Sequence, residues 1–161
     1  MDGPETITRI GALQLDDEAA TGRLARTLAL ALAPGDVVAL SGPLGSGKTA
    51  LVRAIVRALG RPDDEVPSPT FTLVQTYDLA DFTLWHFDLY RIESPDEVAE
   101  LGIEDAFAGG VSMIEWPERL GPALAPGCLR IALDFGAQRG ARRAILSGPD
   151  SWAARLRDIA A

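Results

Sequence analysis

Gly42-Pro43-Leu44-Gly45-Ser46-Gly47-Lys48-Thr49 is the stretch whose reading decides this chain. It satisfies G-x-x-x-x-G-K-[ST], the phosphate-binding P-loop. Its glycines tolerate close approach, so main-chain N–H groups can curl around an anion, and the helix that follows adds its positive N-terminal end. Lys48 is placed to reach the phosphates and the Thr49 hydroxyl to ligate Mg²⁺. The nucleotide-binding candidates are therefore Gly42, Leu44, Gly45, Ser46, Gly47, Lys48 and Thr49. Lys48 is also the only lysine among 161 residues, every other basic cation being arginine. The flanks agree with the motif. Residues 36–40 read as a short buried strand. Ala50, Leu51, Ala54, Ile55, Ala58 and Leu59 recur at helical spacing before Gly60 stops the helix.

Length bounds the answer to one domain, residues 1–161, with enough chain for a real core. Hydrophobic residues at 47% and charged residues at 24% describe a globular protein rather than a disordered one. A formal net charge of −8 argues against broad non-specific nucleic-acid binding, while leaving room for an acidic subunit whose partner holds the nucleic acid. Cys128 is the single cysteine, so no internal disulfide forms. With no leader read at the start and no apolar run of spanning length, no membrane role is expected and the location is read as cytoplasmic.

Around the P-loop the chain alternates strands and helices. Residues 5–10 read as a first strand. Asp16-Asp17-Glu18 opens a helix that runs to about Leu32, before Pro34-Gly35. Residues 61–69 are polar and proline-rich, hence a surface loop. Residues 71–77 and 82–89 read as strands joined as a hairpin, and 95–107 as a helical stretch interrupted at Gly102. Residues 111–115 form another buried strand, 129–133 and 141–146 a final hairpin, and Ser151 caps a terminal helix carrying Trp152, Leu156 and Ile159. The expected fold is α/β, a P-loop NTPase-like three-layer sandwich whose central, mostly parallel sheet has antiparallel flanking strands.

A P-loop hydrolase needs carboxylates near Mg²⁺, at the ends of strands beside the P-loop strand. Two apolar runs end in one: Leu84-Trp85-His86-Phe87-Asp88 and Val111-Ser112-Met113-Ile114-Glu115. Asp88 and Glu115 are thus metal candidates with Thr49, and catalytic candidates with Lys48; one would hold the metal and the other orient water. Thr70, in Ser68-Pro69-Thr70, lies where switch segments sit and is a candidate sensor of the γ-phosphate, although the tripeptide alone reads more simply as a rigid turn. His86 alternates with Asp88 on one strand face and could tune that carboxylate; a structural histidine is the simpler reading. Trp116 is either partner-facing or core. Arg91 serves phosphate or an ordinary ion pair. Arg139, Arg142 and Arg143 form the densest basic cluster, which could touch nucleotide or an RNA-bearing partner but by default is a solvated turn.

The order of four blocks carries a family resemblance: the P-loop, then Val66-Pro67-Ser68-Pro69-Thr70-Phe71-Thr72-Leu73-Val74, His86-Phe87-Asp88-Leu89-Tyr90-Arg91 and Ile114-Glu115-Trp116-Pro117-Glu118. The chain resembles the TsaE family (formerly YjeE) from about Asp17 to Arg143. That resemblance implies a slow, Mg²⁺-dependent ATPase working with TsaB and TsaD to place threonylcarbamoyl on the tRNA adenosine beside the anticodon. tRNA would be met indirectly, through the complex. It implies that Lys48 contacts the β- and γ-phosphates, Thr49 ligates Mg²⁺, Asp88 and Glu115 serve metal and water, and Thr70 lies in a switch-like segment. The departures are Pro43, where an acidic residue is common, and Ala25, where glycine is frequent.

The chemistry expected is in-line attack of water on the γ-phosphate, with loop amides, Lys48 and Mg²⁺ spreading its charge. The alternative is a P-loop small-molecule kinase, which needs an acceptor pocket and an arginine-rich lid; only residues 139–143 point that way. The third reading is a GTP-dependent switch or a non-catalytic binding module; the switch is weakened because the chain has no asparagine for an N-K-x-D guanine reader.

Overall fold

The computed structural model describes residues 6–60 and 73–160. Ser68, Pro69 and Thr70, the proposed switch segment, and the loop expected over 61–69 lie outside those residues. The described strands are β1 (Thr8–Leu15), β2 (Val37–Ser41), β3 (Val74–Asp78), β4 (Thr83–Asp88), β5 (Val111–Glu115), β6 (Leu129–Phe135) and β7 (Arg142–Gly148). The helices are α1 (Glu18–Ala31), α2 (Lys48–Ala58), α3 (Asp96–Ala99), α4 (Ile103–Gly109), α5 (Asp150–Arg155) and α6 (Arg157–Ala160). A 3-10 turn, Pro117–Ala123, follows β5.

The strands form one sheet in the order β1-β7-β6-β2-β5-β4-β3. Its four central strands, β6, β2, β5 and β4, are parallel, and β1, β7 and β3 join antiparallel. The P-loop strand β2 therefore lies mid-sheet, with β5 and then β4 beside it. Its residues alternate between two cores: Val38 and Leu40 face α1 and α2, whereas Val37 and Ala39 pack with Ile103 and Ala106 of α4 and with Leu120. This is the expected α/β three-layer arrangement, since a sheet apolar on both faces must be covered on both.

Helix α1 starts where Asp17 accepts a hydrogen bond from the Ala20 N–H at 2.9 Å, a cap worth about 1 kcal/mol. Helix α2 buries Leu51, Val52, Ile55 and Val56 almost completely, and burial of such side chains contributes roughly 1.5–3 kcal/mol each. The interruption at Gly102 is real: its φ of 83° breaks the chain between α3 and α4.

Four expectations are corrected. The first strand runs over Thr8–Leu15 rather than 5–10; Gly11, next to a register shift against β7, hid its second half. The strand expected over 71–77 is Val74–Asp78 among the described residues, because Leu73 takes a left-handed φ of 69°. Ser151 is no cap: Pro149 precedes α5 and its carbonyl accepts from Trp152 N–H at 2.9 Å, so Ser151 sits inside the first turn. The expected single terminal helix also breaks at Leu156 into α5 and α6.

Candidate functional site

The P-loop joins the end of β2 to the start of α2 and turns at glycines with φ of 141° (Gly42), 79° (Gly45) and 104° (Gly47). L side chains rarely adopt these values, so the loop's shape depends on glycine. At Gly42 there is no room either: a Cβ would stand 2.7 Å from Ser46 Oγ and press into the Leu133 carbonyl of β6. The Ser46 hydroxyl is buried and has no hydrogen-bond partner among the described residues. A buried polar group left unserved is costly, and a phosphate oxygen over the loop would serve it. The loop thus fits the group its motif implies.

Lys48 folds back over this loop. Its Nζ donates to the Gly42 carbonyl and, at 3.3 Å, to that of Pro43, and lies 4.1 Å from the centre of the Trp116 ring. Burial pushes the Lys48 pKa down, against the opposing pull of Glu115, Asp88 and Glu118. A polyanion at this position would offset that desolvation. Trp116 is held beside the lysine by a left-handed backbone, φ 59°, and its ring meets Tyr90 at 4.9 Å. The aromatic whose place the sequence left open belongs to the P-loop's surroundings.

Parallel pairing sets Asp88 opposite Glu115 at the ends of β4 and β5. Both carboxylates are buried, with exposures of 4% and 3%, yet both line a hollow of about 440 Å³ shared with Leu44, Gly45, Ser46, Gly47, Lys48 and Thr49. Thr49 Oγ1 donates to Glu115 Oε2 at 2.9 Å, and Asp88 Oδ1 accepts from the Tyr90 N–H at 3.0 Å. Among the described residues no three His, Cys, Asp or Glu side chains converge as a metal cage. One hydroxyl beside two carboxylates nevertheless suits Mg²⁺, which takes oxygen ligands and usually completes its shell with water and substrate phosphates.

The structure thus brings together Lys48, Thr49, Asp88, Glu115 and the loop residues, while Thr70 lies outside the description. It corrects the pairing suggested for His86. His86 Nε2 meets Glu115 Oε2 at 2.6 Å, across the parallel strands, rather than serving Asp88 on its own strand. Arg91 is exposed and does not line this hollow. The arginine cluster divides. Arg142 lies against Gly47 and lines the P-loop hollow, whereas Arg143, next along β7, lines a different hollow with Gln14 and Phe135. Tyr90 was missed as a lining residue, and Arg142 was read only within a basic cluster whose default was a solvated turn. Tyr90 belongs to a block with the right spacing, but nothing local in the sequence distinguishes Arg142 from its neighbours. A second hollow, about 490 Å³, adjoins Ser46 and Gly47 and is bounded by Glu18, Thr21, Arg139 and Arg142, large enough for a base beside the phosphates.

Comparison with known proteins agrees with this geometry. A family profile described as "Threonylcarbamoyl adenosine biosynthesis protein TsaE" matches residues 15–145. The chain is 43% identical over 122 residues to the tRNA threonylcarbamoyladenosine biosynthesis protein TsaE of Rickettsia felis, spanning 76% of this chain and 71% of that protein. To the protein of the same name in Nostoc it is 37% identical over 144 residues, covering 86% of each. The crystal structure of a Bacillus YdiB superposes with a TM-score of 0.78 at 24% identity, over 96% of this chain and 95% of that one, a likeness of fold. No described helix is long and apolar enough to cross a membrane. The chain belongs to the TsaE family and takes part in tRNA threonylcarbamoyladenosine biosynthesis.

Proposed function

We propose that this chain is a single P-loop ATPase unit of the cytoplasm that binds ATP with Mg²⁺ and hydrolyses it slowly. Hydrolysis supports threonylcarbamoyl transfer to the tRNA adenosine beside the anticodon, in association with TsaB and TsaD. The observation that carries this reading is the hydrogen bond from Thr49 to Glu115 at the mouth of the loop. Because the threonine proton is committed to the carboxylate, the hydroxyl's lone pairs remain for a cation.

Each residue then has a task that its position supports. Loop amides and the Ser46 hydroxyl hold the phosphates. Lys48 leaves its carbonyl partners and places its ammonium against the β- and γ-oxygens, where developing charge is strongest. Thr49, Asp88 and Glu115 hold Mg²⁺, directly or through water; when bound, the metal supplies positive charge that draws electron density from the phosphate oxygens. One carboxylate orients the attacking water, whose in-line approach the buried strand ends keep fixed. Partner binding reads the nucleotide state, as γ-phosphate-dependent segments do elsewhere. The kinase alternative gains little, since Arg142 sits on a sheet strand rather than on a separate lid.

Calorimetry and phosphate release test the reading together. Wild type should bind ATP more tightly with Mg²⁺ and release phosphate without an added acceptor. Asp88→Asn and Glu115→Gln should keep ATP binding and lose about 100-fold or more in turnover, the scale of a lost catalytic carboxylate. Acceptor-dependent ADP formation would favour the kinase instead, and wild-type turnover in both variants would refute the roles of the two acids. Capture of TsaB–TsaD with and without ATP checks the partners.

A further inference from the structure

We propose that His86 is a positioning residue for the hydrolytic step, acting through Glu115; the inference rests on the ATPase reading above. His86 stands on the sheet face that also carries Leu84 and Asp88, opposite Met113 in the parallel pairing of β4 and β5. From there its Nε2 reaches Glu115 Oε2 at 2.6 Å, with side-chain exposures of 0% and 4%. The same oxygen accepts the Thr49 hydroxyl at 2.9 Å. Two donors from different elements, one in the sheet and one at the head of α2, therefore converge on a single carboxylate oxygen. That fixes the plane of the carboxylate and leaves Oε1 without a donor among the described residues. It also keeps Oε2 where the Thr49 proton must point if that hydroxyl is to turn its lone pairs to a cation.

The other ring nitrogen argues that this one bond is what the histidine is for. Nε2 is taken up by the Glu115 oxygen, so Nδ1 must find any partner of its own elsewhere. Nδ1 is buried and has no partner among the described residues. A histidine kept for structure alone would have both nitrogens served, as buried polar atoms ordinarily are. Two of its neighbours on this face, Leu84 and Met113, are apolar and at 0% exposure, and a leucine beside them would leave no unserved atom, although Gln75 of β3 and Asp88 are polar. The unserved nitrogen is tolerated for the sake of the one that holds Glu115. Removing partners that orient a metal-site ligand typically costs about 10- to 100-fold in activity or metal affinity.

The test compares His86→Gln, His86→Asn and His86→Leu, alone and combined with Glu115→Gln, in ATP turnover, ATP affinity and melting temperature. A glutamine amide N–H falls near the position of Nε2, whereas that of asparagine falls near Nδ1. His86→Gln should keep kcat within about threefold of wild type. His86→Asn and His86→Leu should lose about 10- to 100-fold in kcat with KM for ATP little changed. In the Glu115→Gln background the His86→Asn loss should vanish, because its intermediary is already disabled. Equal impairment by glutamine and asparagine, losses that merely follow melting temperature, or an asparagine effect that persists in that background would overturn the assignment. A wild-type protein that releases no phosphate would overturn the ATPase reading itself and the inference with it. Wild-type turnover with any of the other adverse results removes only the role of His86.

Discussion

Replacing Gly42 with alanine separates two costs that a P-loop glycine avoids. The first is conformational: at φ 141° an L side chain is strained wherever it stands, at about 1–2 kcal/mol. The second is steric. The new Cβ would lie 2.7 Å from Ser46 Oγ and 3.2 Å from the Leu133 carbonyl carbon, and closer still to its oxygen. Ser46 can rotate, but Leu133 is backbone in β6, itself paired to β2 and β7, so the loop must move instead. Overpacking of this kind costs about 1–3 kcal/mol. Together the two amount to about 2–5 kcal/mol, a large share of the 5–15 kcal/mol typical of a folded domain. Gly35→Ala is the control: its φ is 93° and nothing lies within 4 Å of the added carbon, so only the conformational cost applies. At roughly 2–4 °C per kcal/mol for a chain of this size, Gly35→Ala should lower the melting temperature by roughly 2–8 °C and Gly42→Ala by roughly 4–20 °C. Because the loop is what yields, ATP affinity should also fall at least tenfold in Gly42→Ala and stay unchanged in Gly35→Ala. Equal melting temperatures for the two variants would refute the steric argument.

Three further outcomes follow from the structure. Trp116 lies 4.1 Å from the Lys48 ammonium, so when ATP draws the lysine away its emission should change saturably in a Trp85→Phe, Trp152→Phe background, and the change should disappear with Lys48→Ala; a flat titration would show that the lysine stays put. Cys128 is 1% exposed, and burial pushes its thiol pKa up, so it should resist thiol reagents until the protein unfolds; fast labelling of the native protein would contradict its burial. With the folded pKa raised, the native state holds its proton longer than the unfolded chain. This contribution to stability is complete below the unfolded thiol pKa and is lost as pH rises through the folded one, which urea titrations at alkaline pH, with Cys128→Ala as reference, would register.

What could be read from residues alone was whatever is local in the chain. The P-loop, its strand and its helix are contiguous, and the glycines, Lys48 and Thr49 are meaningful by spacing. The acids at the ends of two apolar runs were legible because a strand end is a local event. Boundaries slipped where a local rule had a competitor: the first strand was read only to Ile10 although it continues past a register shift to Leu15, and Pro149 leads into a helix that already includes the serine expected to cap it.

Partnerships were a different matter. His86 and Asp88 are two apart on one strand, so proximity in sequence suggested that pair. The sheet order instead puts β5 beside β4 and delivers His86 to Glu115, 29 residues away. Trp116 could be core or surface until a left-handed turn laid it against Lys48. Arg142 and Arg143 were equals in the sequence, and the pleat of β7 sent them to different hollows. Sequence alone determined which chemical groups this protein carries and which of them lie on one short element. Tertiary structure decided which groups meet, because strand order and the alternation of side chains across a sheet are set by packing between segments far apart in the chain.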